Sequence, residues 1–205
     1  MSDDSPYDPK AYWTERGRSY KQDFHMRYER ILRESGRDRN QGLIFALLGE
    51  APFRSFLDIG CGYGLYLKGV EDRFANLQRV VGCDISPTQL DEARHFLGPD
   101  SRVELMEVDG ESLPYPDESF DVCLTYGVGV HVPHERIHAF LTEILRVTRG
   151  RYLFLESGSE AYERTSKYYF AHDYEAIFSE LGYRTELLAE LDPAVKECLR
   201  RVVKS

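Results

Sequence analysis

Phe56-Leu57-Asp58-Ile59-Gly60-Cys61-Gly62-Tyr63-Gly64 carries the architecture of this 205-residue chain. A short apolar run ends at an acid, and glycines follow at alternate positions. Such a run, bounded by glycine, reads as a buried strand entering a tight turn. Glycine lets the backbone bend sharply and lets a ligand approach it closely. A dinucleotide site needs G-x-G-x-x-G, so that a pyrophosphate sits on a helix N-terminus. Here the spacing is G-x-G-x-G, and position 65 is Leu. Asp58 stands just before the glycines, where a pyrophosphate would be repelled. A ligand with a cationic amine and a sulfonium centre is favoured there instead.

Outward from this turn, short apolar runs alternate with helical stretches. The runs are Ser55–Ile59, Arg79–Cys83, Arg102–Val108, Phe120–Thr125 and Arg151–Leu155. Helices are expected near 63–74, 87–97 and 134–147. This alternation implies a parallel sheet covered on both faces, an α/β, doubly wound fold. Another helix near 173–181 ends at Gly182, and strands near 184–190 and 197–203 flank Asp192-Pro193. The sheet is therefore expected to be seven-stranded, mostly parallel, and to end in an antiparallel hairpin. Residues 11–50 read as two helices punctuated by Ser35-Gly36 and Asn40, and residues 1–10 as a frayed polar tail. The division is an N-terminal helical cap segment, 1–50, and one further domain, 51–205.

Ligands of doubly wound sheets bind beyond the carboxyl ends of the strands. Those ends carry Asp58, Asp84, Asp109 and Glu156, so one strongly acidic crevice is expected. Asp84 lies about 20 residues beyond the glycine turn, where a carboxylate accepts both hydroxyls of a ribose. Asp109 is suited to accept a hydrogen bond from an exocyclic amine, as on adenine. The parts fit an adenosine-bearing ligand.

Bulk properties narrow the partners. The formal charge is −9, from 26 basic and 35 acidic side chains. An acidic surface disfavours a nucleic-acid substrate. Cys61, Cys83, Cys123 and Cys198 include no C-x-x-C spacing, so no metal site is expected. No apolar run approaches the roughly 20 residues of a membrane span. The first ten residues lack the character of a signal peptide, and a cytoplasmic protein is expected.

Residues 55–155 resemble the Rossmann-like class I S-adenosylmethionine-dependent methyltransferases of the methyltransferase-domain (type 11) family. The resemblance rests on Phe56–Gly64, Val80–Leu90, the run from Asp109-Gly110-Glu111-Ser112-Leu113-Pro114 to Phe120-Asp121, and Gly129-Val130-His131-Val132-Pro133 through Arg146-Val147. The loop after Arg146-Val147 is shorter than the family's. The resemblance implies S-adenosylmethionine as methyl donor, with Gly60 and Gly62 along its methionine part, Asp84 at the ribose, and Asp109 with the Gly110 amide at adenine. Asp58, Cys61, Ile85, Glu111 and Tyr126 complete the expected cofactor-binding set. Tyr12-Trp13 through Tyr20 resembles the cap of some members, with Tyr20 as the closing aromatic.

The expected reaction is methyl transfer to an oxygen or nitrogen of a small molecule. The Asp/Asn-Pro-Pro-Tyr motif of base N-methyltransferases is absent after the fourth strand, where Thr125-Tyr126-Gly127-Val128 stands. Strands one to three serve the cofactor, so the acceptor enters over strands four and five. His131 and Glu156 lie there and are the catalytic candidates, with a wall of segment 157–174. His134 and His172 read instead as helix-start residues, and Tyr168, Tyr169, Phe170 and Tyr174 as core or acceptor cover. Two further classes stay open: a cofactor-binding pseudoenzyme or partner subunit, and an NAD-dependent oxidoreductase.

Overall fold

The computed structural model describes residues 6–19, 37–158, 168–192 and 196–204. Its elements, in chain order, begin with α1 (9–19) and α2 (Arg37–Gly49). Then come β1 (Ser55–Ile59), α3 (Leu65–Arg73), β2 (Arg79–Asp84), α4 (Pro87–Leu97), β3 (Glu104–Glu107) and β4 (Phe120–Tyr126). After a 3-10 turn at Gly129–His131 follow α5 (Ile137–Val147), β5 (Thr148–Glu156), α6 (Tyr174–Glu180), β6 (Tyr183–Asp192) and β7 (Glu197–Lys204). The sheet runs β3-β2-β1-β4-β5-β7-β6. Its first five strands pair in parallel, and β7 is antiparallel to both β5 and β6. The expected doubly wound sheet with a terminal hairpin is the observed one. The strand order reverses at β1/β4, the place where such folds open a ligand crevice.

Alternation along β1 explains why its run is continuously apolar. Leu57 and Ile59 join the core under α5 and α6, while Phe56 joins the core under α2, α3 and α4. Both faces of the strand are covered, so no position faces water. Helix α5 shows the matching 3.6-residue period, burying Ile137, Phe140, Leu141, Ile144 and Val147. Helix α4 starts where Ser86 Oγ accepts from the Gln89 N–H at 3.3 Å, with Pro87 in the first turn. Helix α3 starts after Gly64, whose φ of 88° is left-handed. That turn is why α3 begins at Leu65 and not at the expected Tyr63. Helix α5 passes directly into β5, as the short loop after Arg146-Val147 foretells.

Two N-terminal readings are corrected. Asn40 does not punctuate two helices; it lies inside α2, buried, and its side-chain amide donates to the Tyr126 hydroxyl at 3.3 Å. Residues 6–10 are not a frayed tail. Helix α1 starts at residue 9, and the Tyr7 ring stacks on Tyr168 with centroids 4.4 Å apart. Among the described residues no helix is long and apolar enough to cross a membrane.

Candidate active site

A cavity of about 600 Å³ opens at the carboxyl ends of β1, β2 and β4, roofed by α1. The β1 turn forms its floor. Gly60 and Gly62 adopt φ of 70° and 54°, a left-handed geometry that costs glycine little. The N–H groups of Gly60 and Cys61 both donate to the Cys83 carbonyl, at 2.8 and 3.0 Å. The Gly62 N–H donates to Asp84 Oδ2 at 2.9 Å, and the Ser86 N–H to Asp84 Oδ1 at the same distance. The turn is thus stitched to the end of β2. A carboxylate oxygen has two lone pairs, so Asp84 keeps acceptor capacity toward the cavity. Cys61 and Ile85 also face this floor.

Asp58 lies beneath the turn, only 2% exposed. Its Oδ2 has no hydrogen-bond partner among the described residues. Burial, and then the neighbouring Asp84 carboxylate, push its pKa well above the usual carboxylate range. A buried carboxylate oxygen left without a donor is costly. The cavity therefore offers two adjacent acids to a positively charged group.

The opposite wall is less acidic than expected. Arg136 Nη2 reaches Asp109 Oδ2 at 2.8 Å, and its Nε pairs with Glu111. One guanidinium thus balances both acids. Gly110 sits against Phe140, and a Cβ there would meet that ring at 2.4 Å. Tyr126 lines the cavity with its hydroxyl held by Asn40 and its ring 5.4 Å from that of Tyr66.

His131 lines the far side, half-buried at the end of the 3-10 turn. Its Nδ1 lies 2.7 Å from the Tyr168 carbonyl oxygen. A carbonyl only accepts, so Nδ1 carries the proton and Nε2 keeps its lone pair. Burial lowers the imidazole pKa, partly offset by that hydrogen bond. The ring is a neutral acceptor at pH 7. The Trp13 ring stands edge-on to it, with centroids 4.8 Å apart.

Glu156 does not share that wall. It is 4% exposed, and its carboxylate accepts from the N–H groups of Val128, Gly129 and Val130 at 3.1, 3.1 and 3.3 Å. Both oxygens serve the backbone of the turn, so the expectation that Glu156 meets the acceptor is corrected. The expected closing aromatic, Tyr20, lies outside the described residues. Tyr12 and Trp13 of α1 line the cavity instead. Sequence reasoning placed these two only in a resemblance to a cap; an aromatic pair that includes the chain's one Trp was the available signal.

Helix α1 is pinned across the cavity by side chains near the cofactor floor. Ser86 Oγ donates to the Trp13 carbonyl at 2.9 Å, and Thr88 Oγ1 to the Thr14 carbonyl at 2.7 Å. Gly17 permits the approach, since a Cβ there would stand 2.2 Å from Thr88 Oγ1.

Sheet order, glycine turn and paired acids together define the class I methyltransferase architecture. Residues 57–154 match the family model described as a methyltransferase domain. Over that span, just under half of the chain, it is similar to the class I, Rossmann-like S-adenosylmethionine-dependent methyltransferases. The 2-methyl-6-phytyl-1,4-hydroquinone methyltransferase of Synechocystis sp. is 33% identical over 98 residues, 48% of this chain and 30% of that protein. The ubiquinone/menaquinone biosynthesis C-methyltransferase UbiE of Hahella chejuensis is 32% identical over 128 residues, 60% of this chain and 51% of that protein. The chain thus spans about half, or less, of the length of these curated relatives. Among solved structures, magnesium protoporphyrin IX methyltransferase from Synechocystis, with bound S-adenosylmethionine, superimposes with a TM-score of 0.70. It is 19% identical, with 98% of this chain and 100% of that one covered. At that identity the likeness establishes the fold.

Proposed function

We propose that this chain binds S-adenosylmethionine over the β1 turn and transfers its methyl group to a small acceptor bearing an acidic hydroxyl on an aromatic ring. The observation that carries the cofactor half is the buried Asp58 Oδ2, without a hydrogen-bond partner among the described residues. An amino acid ammonium group completes it, and the ribose diol suits Asp84. Gly60, Cys61, Gly62, Ile85 and Tyr126 form the remaining floor and wall in this reading, and Asp109, Gly110 and Glu111 face adenine. Asp109 and Glu111 then act while paired to Arg136. The donor supplies an electrophilic methyl group on sulfur.

On the acceptor side the wall is Tyr12, Trp13, Val130, Val132, Pro133 and Tyr169, with His131 set among them. An aromatic body fits these surfaces. His131 Nε2 takes the hydroxyl proton as the nucleophile forms, and the aromatic cover excludes water from the alignment. Names of the relatives favour a hydroquinone-like ring, and they extend the expected oxygen or nitrogen acceptor to a ring carbon. Deprotonating a phenol activates both its oxygen and its ring carbons; after transfer to carbon, the proton on that carbon leaves to solvent and the ring oxygen takes back the proton held by His131, which restores the aromatic ring. Incubation with methyl-labelled S-adenosylmethionine and a panel of phenols and hydroquinones tests the proposal. The expected result is label in the ring or on its oxygen, abolished by Asp84→Ala. Tight binding of NAD with none of S-adenosylmethionine would overturn the cofactor assignment; label found only on amines would overturn the acceptor assignment.

A further inference from the structure

The turn that carries His131 is held more completely than a surface loop requires. Its N–H groups at 128, 129 and 130 all point to Glu156. Its carbonyls point the other way. His172 Nε2 lies 3.1 Å from the Gly129 oxygen and 2.9 Å from the Val132 oxygen. The Phe170 N–H donates to the Val130 oxygen at 2.7 Å. The His131 ring itself donates to the Tyr168 oxygen at 2.7 Å. Residues 168, 170 and 172 therefore grip the turn at every second position, as an extended segment does. Gly129 packs so closely on this layer that a Cβ there would meet the Tyr174 hydroxyl oxygen at 2.7 Å.

We propose that Glu156 and His172 are positioning residues for His131: one holds the amide side of the 128–132 turn, the other its carbonyl side, and together they fix which imidazole nitrogen faces the acceptor. The chemistry of each end is complementary. A carboxylate is acceptor-only and takes several N–H groups at once. His172 faces two carbonyl oxygens with Nε2, so that nitrogen is protonated and donates. Both side chains are buried, at 4% and 8% exposure, where an unmade hydrogen bond is expensive. The grip matters to chemistry because the Tyr168 oxygen sets the His131 tautomer. If the 168–172 segment slips, Nδ1 loses that acceptor. The imidazole then reverts toward the Nε2-protonated form that prevails in water, and that form cannot accept a proton at Nε2.

This inference rests on the reading of His131 as the base, and the experiment separates the two. The 15N spectrum of histidine-labelled protein, free of ligand at neutral pH, reports the His131 tautomer directly. In the wild type His131 is expected as the Nδ1-protonated form. His172→Ala and Glu156→Ala should convert it to a mixture. Turnover should fall about ten- to a hundredfold, the scale of a small misplacement near the chemistry, while S-adenosylmethionine affinity stays near that of the wild type. His172→Gln, which returns an N–H donor at similar reach, should restore both. If Glu156→Ala fails to fold, the His172 pair decides, since it removes and returns a single donor. Unchanged tautomer and turnover in folded His172→Ala overturn the inference. A shifted tautomer alongside full turnover in His131→Ala supports the grip and removes the base.

Discussion

The two halves of the cavity handle buried polarity in opposite ways. On the side proposed for the cofactor, β1 carries Asp58 next to its end, a carboxylate with one oxygen that no donor among the described residues completes. On the acceptor side, β5 ends in Glu156, a carboxylate equally buried but given three backbone N–H donors. Both acids are pushed upward in pKa, and burial is the first cause in each. Only one has its cost offset from within. In the proposed reading the incomplete acid receives the ammonium group of the cofactor, whereas the completed acid holds the 128–130 turn. Position at a strand end does not tell them apart, and hydrogen-bond accounting does.

The sharpest way to break this contrast is at His131, whose Nδ1 is held by the Tyr168 carbonyl and whose Nε2 is the proposed base. His131→Ala should lower turnover on a phenolic acceptor by about a hundredfold or more, the range for a lost general base. Cofactor affinity, measured by calorimetry, should stay unchanged. Full turnover in this variant would leave the acceptor half without a chemical role.

The completed acid has its own signature. Glu156 has its pKa raised from 4.5 to about 7 in the folded chain. Between those values the folded protein binds more protons than the unfolded one, so stability falls as pH rises and levels off above about 7. The displacement corresponds to about 3 kcal/mol at most. Glu156→Gln cannot titrate. The wild type should therefore lose stability relative to Glu156→Gln between pH 4.5 and 7, as read by urea unfolding across that range. Parallel curves for the two proteins would mean the acid is not held as described.

At the incomplete acid the sign reverses. Asp58→Asn removes a buried charge that lacks a full partner set, so the ligand-free protein should gain about 1 kcal/mol of stability near pH 8. S-adenosylmethionine binding should weaken by about 1.5–3 kcal/mol, the scale of a hydrogen bond to a charged group. Asp84→Asn is the control. Its carboxylate holds the Gly62 and Ser86 N–H groups, so it should lose both affinity and stability. Thermal unfolding with and without ligand distinguishes the two. A destabilised Asp58→Asn would show that the site is built for the protein and not for a ligand.

How much of this was legible follows from how local each device is. The strands, their order of polarity and the β1 turn were readable because apolar period and glycine spacing are properties of short windows. The place of Asp84 at the cavity was readable because the fold puts it one strand away at a fixed offset. Glu156 was found as a residue and misread as a role. Its donors lie 26 to 28 residues earlier in the chain, and no window spans that. His172 was read as a helix-start residue for the same reason: its acceptors are 40 and 43 residues away. Asn40 reads as punctuation in the sequence because asparagine favours turns. Its amide instead reaches Tyr126, 86 residues on, and tertiary bonding overrides that preference. The α1 roof was half legible, since its aromatics stood out while its anchorage on α4 did not.

That anchorage gives the smallest expected effect, and it tests whether the two halves communicate. Ser86 and Thr88 follow Asp84, the acid proposed for the cofactor, and their hydroxyls hold the carbonyls of Trp13 and Thr14. Trp13 in turn stands against His131. Helix α1 is thus the bridge between floor and acceptor wall. Gly17→Ala places a methyl group where Thr88 Oγ1 now lies, 2.2 Å away. The threonine must turn or the helix must lift, and either move gives up the bond to Thr14. The loss should be about 1 kcal/mol, the net worth of one hydrogen bond. Alanine's helix propensity recovers part of it, since alanine gains roughly 1 kcal/mol over glycine inside a helix. Global stability should therefore barely change. The displaced helix carries Tyr12 and Trp13 with it, so turnover should fall several-fold, on the scale of roughly 1 kcal/mol in the barrier. Gly17→Ala in combination with Thr88→Ala, which removes the hydroxyl that the new methyl group meets, should let α1 settle back and recover most of that turnover. If Gly17→Ala matches the wild type in turnover with every acceptor, α1 is a roof without a part in aligning the acceptor.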